Sequence, residues 1–116
     1  MRELFDARAV LFQSEDEGES LCIECAATRE GGLAVLQESD GPLTLWCFEE
    51  SPHRIETEVA PEDMGALLVH FRADNAGMLP AMLRMRFTGH ESGQRIRRML
   101  RGLQVPYRVY ENAPVR

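Results

Sequence analysis

The spacing of the apolar residues changes once along this chain, close to Pro61. Before that point, four short segments rich in apolar, aromatic or β-branched residues alternate with turn sequences. They predict four strands: Leu21–Thr28, Leu33–Glu38, Leu43–Glu49 and Arg54–Val59. After it, the apolar residues follow the period of a helix. Strands followed by helices predict an α+β fold, in one domain of residues 1–116. The short connections favour a four- or five-stranded antiparallel meander sheet with C-terminal helices packed on one face.

Three helices are predicted after Pro61. The second spans residues 79–87, and the third follows Thr88–Glu91, which has the spacing of a capping box. Val105–Tyr110 predicts a short terminal strand, and its proline favours an edge position. The first helix carries an apolar stripe at i, i+3, i+4 and i+7: Met64, Leu67, Leu68 and Phe71.

The N-terminal segment has two interpretations. Its apolar residues in the range 4–13 fit one face of a helix, which is the favoured assignment. The alternative is that Ala9–Gln13 forms a strand that pairs with the first hairpin.

Alternation within the predicted strands gives the sheet two faces. The apolar face would pack on the helices and carries Ile23, Cys25, Val35, Leu45, Cys47, Ile55, Thr57 and Val59. The other face carries Glu24, Leu36, Glu38, Trp46, Phe48, Arg54, Glu56 and Glu58. The alternation in the strands and the helical period after Pro61 together predict one core. It contains Ile23, Val35, Leu45, Ile55, Leu67, Phe71, Ile96 and Leu100.

Charge is divided unequally between the two halves. Residues 1–63 hold sixteen Asp and Glu against four Arg, whereas residues 64–116 hold three acids against nine Arg, and the chain has no Lys. This uneven distribution of charge limits which partners each half attracts. The longest uncharged apolar stretch, Met64–Phe71, is too short to cross a bilayer, and charges interrupt the first residues. We therefore expect a cytoplasmic protein without a membrane partner.

No recognised catalytic motif accompanies the charge. Cys22 and Cys25 have C-x-x-C spacing, but they lie inside a predicted strand, where residues three apart point to opposite faces. A zinc site would need two further ligands, and the candidates are Cys47, His53, His70 and His90. The three histidines lie far apart in sequence, and none has a nucleophile at a recognised spacing. The sequence predicts no catalytic residues, no cofactor and no metal.

Two acidic and aromatic groups are the candidate partner-binding residues. One is a dense acidic loop, and the other is an aromatic patch in an acidic surround, a composition that suits aromatic anchors and steering charges. For the acidic loop, the alternative is that it is only solvated. For the aromatic patch, the alternative is that the N-terminal segment, or a second copy in a homodimer, covers the rings. The predicted contact residues are Glu15, Asp16, Glu17, Glu19, Trp46, Phe48, Glu56 and Glu58.

An Arg-rich segment offers a second hypothesis. Six Arg lie within residues 84–101, four of them on one predicted helix, where they could contact phosphates. The acidic first half also supplies partners within the molecule, so binding to nucleic acid is the less favoured interpretation.

In plan, the chain resembles the small immunity proteins of bacterial contact-dependent growth inhibition toxin systems. The resemblance is carried by the acidic meander, the loop Glu15–Glu19, and the segments Arg86–Glu91, Ile96–Leu100 and Val105–Val109. It implies a single α+β domain that binds a protein toxin domain, often a basic nuclease, and covers its active site. The basic C-terminal half departs from a uniformly acidic inhibitor. The resemblance predicts a non-enzymatic inhibitory binding protein. The Arg-rich C-terminal helix supports the alternative, a nucleic-acid-binding or regulatory domain.

Overall fold

The computed structural model describes residues 7–111, which form an α+β fold built on one open antiparallel sheet. Each strand pairs with the next one in sequence, so the spatial order is β1-β2-β3-β4-β5. The strands are β1 (Arg8–Asp16), β2 (Glu19–Ala27), β3 (Leu33–Asp40), β4 (His53–Val59) and β5 (Arg108–Glu111). The helices are α1 (Pro42–Phe48), α2 (Gly65–Phe71), α3 (Leu79–Arg86) and α4 (Ser92–Gly102). This confirms the predicted α+β fold with an antiparallel meander sheet.

The core lies between one face of the sheet and the helices that follow it. Alternate residues of β2, β3 and β4 point inward, and α2, α3 and α4 contribute their apolar stripes. Fully buried members are Ile23, Leu33, Val59, Met64, Leu67, Leu79, Leu83, Ile96 and Leu100. The opposite, outer face carries exposed or half-buried side chains apart from the small Ala34. Among the described helices, none is long and apolar enough to cross a membrane.

The predicted third strand, Leu43–Glu49, is wrong, because these residues form helix α1. Gly41 adopts φ 143°, and Pro42 follows at the first helical position. Proline has no N–H, and an N–H at this position would have no acceptor within the helix. The apolar and aromatic composition favoured a strand, but the sheet already has β4 beside β3. Helix α1 therefore connects β3 to β4, and the Gly-Pro pair is the signal that could have shown it.

The helix favoured for residues 4–13 is also wrong over its described part. Arg8–Asp16 forms β1, which pairs with β2 and contains an irregularity between Val10 and Phe12. The alternative strand over Ala9–Gln13 is correct, and residues 1–6 lie outside the described part of the chain. The two turn residues that join β1 to β2, Glu17 and Gly18, both have positive φ, as a tight hairpin requires.

Six of the eight predicted core residues are buried together, but Leu45 is 54% exposed on α1 and Ile55 is half-buried. Trp46 and Phe48 belong to the same helix, so the prediction that they lie on the outer sheet face is wrong. Cys47 likewise leaves the inner face. Helix α4 begins at Ser92, without a side-chain cap from the predicted capping box.

Candidate partner-binding surface

Helix α1 exposes its apolar side chains and buries only Thr44. Trp46 is 80% exposed, Leu43 61% and Phe48 44%. A short helix on a globular domain normally buries its large apolar residues against the core. Contiguous exposed apolar side chains of this kind mark interaction sites.

The start of α1 is fixed by a carboxylate from the neighbouring hairpin. Glu19 Oε1 accepts a hydrogen bond from the Leu43 N–H at 2.8 Å, and Oε2 accepts from the Thr44 N–H at 3.1 Å and from the Thr44 hydroxyl. These N–H groups have no partner within the helix, and the positive end of the helix dipole favours an anion there. A Cβ on Gly41 would lie 2.6 Å from the Gly18 carbonyl oxygen, so this close approach requires glycine.

The end of α1 is fixed by a buried histidine. The Phe48 ring stacks on His53 with centroids 3.9 Å apart and planes 5° from parallel. His53 Nδ1 lies 2.7 Å from Glu50 Oε2, and Nε2 lies 3.1 Å from Glu111 Oε2. Each ring nitrogen of His53 therefore lies within hydrogen-bonding distance of a carboxylate oxygen. Helix α1 is thus anchored at both ends while its apolar side chains remain exposed.

This end of the molecule is strongly negative. It is built from segments 13–22 and 37–53, each with four acidic residues and neither with an Arg, although Glu38 lies across from Arg54 of β4. Glu19 and Glu50 are engaged by α1 and His53, whereas Glu15, Asp16 and Glu17 lie exposed at the tip of the β1–β2 hairpin. An exposed apolar helix beside unpaired acids suits a partner with an apolar centre and basic surroundings.

A groove of about 320 Å³ runs between α1 and the inner face of the sheet. Leu43 and Phe48 line it on the helix side, and Leu21 and Gln37 line it on the sheet side. Its polar lining includes three serine side chains: Ser14, Ser20 and Ser39.

The structure brings together only part of the predicted contact set. The acidic hairpin carries Glu19, which contacts α1, so the hairpin and the helix with Trp46 and Phe48 lie at one end. Glu56 and Glu58 lie instead on the outer sheet face, beside Tyr110 and Arg108 of β5. The capping role of Glu19 and the role of His53 were not predicted from the sequence, because both depend on contacts between distant segments.

The Arg-rich segment contacts rings and neutral oxygens. Arg97 Nη1 donates to the Thr57 hydroxyl at 3.1 Å, and Arg101 Nη1 donates to the Tyr107 hydroxyl at 2.7 Å. Arg95 lies 5.5 Å from the centroid of the Phe87 ring. Within residues 7–111, no ion pair joins this segment to the acidic half. The Arg-rich segment therefore does not pair with the acids around α1.

The three cysteines are free and lie in different environments. Cys25 points into the core, and burial raises the pKa of its thiol to about 12. Cys22 is half-buried three positions earlier, and burial together with the charges of Glu24 and Glu38 raises its thiol pKa as well. Cys47 is exposed on α1. Among the residues described, no group of three or more His, Cys, Asp or Glu side chains could hold a metal ion.

The fold belongs to the class of α+β proteins with one open antiparallel sheet and helices on one face. The surface around α1 is the candidate interface. Comparison with protein-family models, with curated proteins and with solved structures found no match for the chain.

Proposed function

We propose that this protein is a non-enzymatic inhibitory binding protein of the immunity type, which neutralises a cationic protein toxin domain by direct contact through α1 and the β1–β2 hairpin. The observation that carries the proposal is that α1 exposes Leu43, Leu45 and Trp46 at an end of the molecule built from segments without Arg. Exposed aromatic anchors beside unpaired acids are the features of a surface that binds a basic protein.

The mode of inhibition follows from the charges. A nuclease holds its substrate in a basic groove, where Lys and Arg contact phosphates. The exposed carboxylates of Glu15, Asp16 and Glu17 supply negative charge that such a groove attracts, which raises the association rate. The exposed Trp46 then supplies apolar area that is lost to water on contact. The bound inhibitor blocks the substrate groove of the toxin without any chemical step.

Co-expression tests the proposal directly. Each product encoded next to this gene would be expressed in a bacterial host, alone and together with the protein. We expect the wild-type protein to restore growth and Trp46→Ala to restore it poorly. Val69→Ala is the matched control, because Val69 is an apolar side chain, 77% exposed, that belongs to α2 and not to α1. The proposal fails if no adjacent product is toxic, or if Trp46→Ala protects as well as the control.

Binding to nucleic acid through α4 is the second candidate, because Arg98 is exposed on α4 and Arg84 is exposed on α3. A phosphate-binding surface loses affinity steeply as salt rises. Titration of labelled DNA and RNA at two salt concentrations separates the candidates, since the inhibitory protein should bind neither.

A further inference from the structure

The surface around α1 also indicates what kind of segment it binds. We infer that it takes a short basic segment with one large apolar side chain, which enters the groove beside α1 while Lys or Arg reach the carboxylates around it. This deepens the proposed function and rests on the same surface, but it does not depend on the partner being a toxin.

The groove has the size and lining for one side chain. Its volume of about 320 Å³ is at the lower end of the range for small-ligand sites, about 300–1,000 Å³. Phe48 and Leu43 form an apolar wall, and Leu21 contributes to the floor. Gln37 and the hydroxyl of Ser39 offer polar partners to the backbone of a bound segment. A folded element would not fit, whereas an aromatic or long aliphatic side chain would.

The charge around the groove selects a basic segment and disfavours a second copy. A twofold dimer through α1 would place the same patch on both subunits, so acidic residues would face acidic residues. Segments 13–22 and 37–53 contain no Arg that could relieve this repulsion. Exposed Glu15 and Asp16 on the hairpin and Glu49 after α1 are instead placed to meet Lys or Arg.

The surface is formed before binding. The Glu19 carboxylate fixes the start of α1, and the stack of Phe48 on His53 fixes its end. A segment that binds here does not have to order the helix first, which removes one entropic cost of association. The exposed Trp46 is the only Trp in the chain, so its fluorescence reports on this surface alone.

A random library of 16-residue peptides displayed on phage tests the inference. The library would be selected on immobilised wild-type protein after depletion on Leu43→Ser, which changes an exposed side chain that lines the groove. We expect the enriched peptides to combine Lys or Arg with an aromatic or large aliphatic residue, to shift Trp46 emission to shorter wavelength, and to bind at least tenfold more weakly in high salt. Val69→Ala should bind them like the wild type. Enriched peptides that lack basic residues would overturn the inference.

A covalent block of the groove provides a second measurement that requires no change in the core. Cys47 is exposed and lines the groove, so a bulky aromatic maleimide on its thiol would fill it. The reaction would be carried out on Cys22→Ser, so that only Cys47 is accessible. We expect at least a tenfold loss of peptide affinity, with the circular dichroism spectrum unchanged. Unchanged affinity would place the apolar side chain elsewhere and overturn the inference.

Two further outcomes distinguish this inference from the proposed function. If sedimentation shows a dimer that Trp46→Ala abolishes, the surface belongs to a second copy and the inference is wrong. If basic aromatic peptides bind through the groove but no adjacent product is toxic, the inference stands and the immunity-type function fails.

Discussion

At the scale of single residues, the role of an acidic side chain depends on the groups that its carboxylate contacts. Glu19 belongs to a run of acids that the sequence presents as equivalent, yet its carboxylate accepts hydrogen bonds from the Leu43 and Thr44 N–H groups. Glu15 and Asp16 keep exposed carboxylates. The contacts of Glu19 within the chain give it a structural role, beside the predicted contact with a partner.

Replacing Glu19 should therefore cost stability. Glu19→Ala leaves the first N–H groups of α1 without their acceptor, and we expect the free energy of unfolding to fall by about 1–2 kcal/mol. Glu15→Ala is the matched control, with a change of less than about 0.5 kcal/mol. Urea denaturation measures both variants. Equal midpoints would show that Glu19 does not support α1.

The buried Cys25 thiol predicts a loss of stability at alkaline pH. Burial raises its pKa from 9.0 to about 12, so between these values the folded chain keeps a proton that the unfolded chain has released. The free energy of unfolding then falls as pH rises above 9, by at most about 1.4 kcal/mol per pH unit from this group. Urea denaturation at pH 7.5, 9 and 10.5 should show a steeper fall for the wild type than for Cys25→Ala. Parallel curves would contradict the prediction.

At the scale of elements, α1 is the part of the fold that local composition misassigned. Leu43–Glu49 has the residue types of a strand, but β3 pairs directly with β4, so no place in the sheet is left for it between them. Contacts at its two ends stabilise the helix instead, from Glu19 on β2 and His53 on β4. A helix of seven residues is too short to be stable alone, so these contacts determine it.

His53 should be the main support of the end of α1. His53→Ala removes the stack on Phe48 and the ring nitrogens that lie beside Glu50 and Glu111. We expect the free energy of unfolding to fall by about 1–3 kcal/mol, and hydrogen exchange in α1 to accelerate. His90→Ala, at an exposed site, should change little. If both variants unfold at the same urea concentration, the stack does not anchor α1.

At the largest scale, the Arg-rich segment of α3 and α4 and the acids around α1 form separate charged surfaces, although Arg108 of β5 lies across from Glu58 of β4. The described Arg cluster makes its contacts with rings, hydroxyls and a carbonyl, and leaves the acids around α1 free to attract a partner. The outer sheet face holds Glu56 and Glu58 apart from α1, so a partner on α1 does not reach them by the same contact. Charge should therefore govern association at this end, and apolar contact should govern dissociation.

Binding kinetics test this division with an enriched peptide or the toxin domain. Trp46→Ala should raise the dissociation rate about 30-fold, which corresponds to about 2 kcal/mol for a buried Trp anchor. The combined Glu15→Gln, Asp16→Asn and Glu17→Gln variant should slow association several-fold at low salt and leave dissociation nearly unchanged. Surface plasmon resonance at two salt concentrations measures both rates. Unchanged rates in both variants would move the interface away from α1.

Local residue patterns were enough to predict the strands and the helix whose apolar residues recur most regularly. Strand alternation in Leu33–Glu38 and Arg54–Val59 and the helical stripe from Met64 to Phe71 follow from residues close in the chain, and all three were predicted correctly. Only the tertiary structure decided that Leu43–Glu49 is a helix, because its acceptor Glu19 and its ring partner His53 come from separate strands. Trp46 and Phe48 were identified from composition, but their exposure beside a groove depends on how the hairpin approaches Gly41, which no local pattern records.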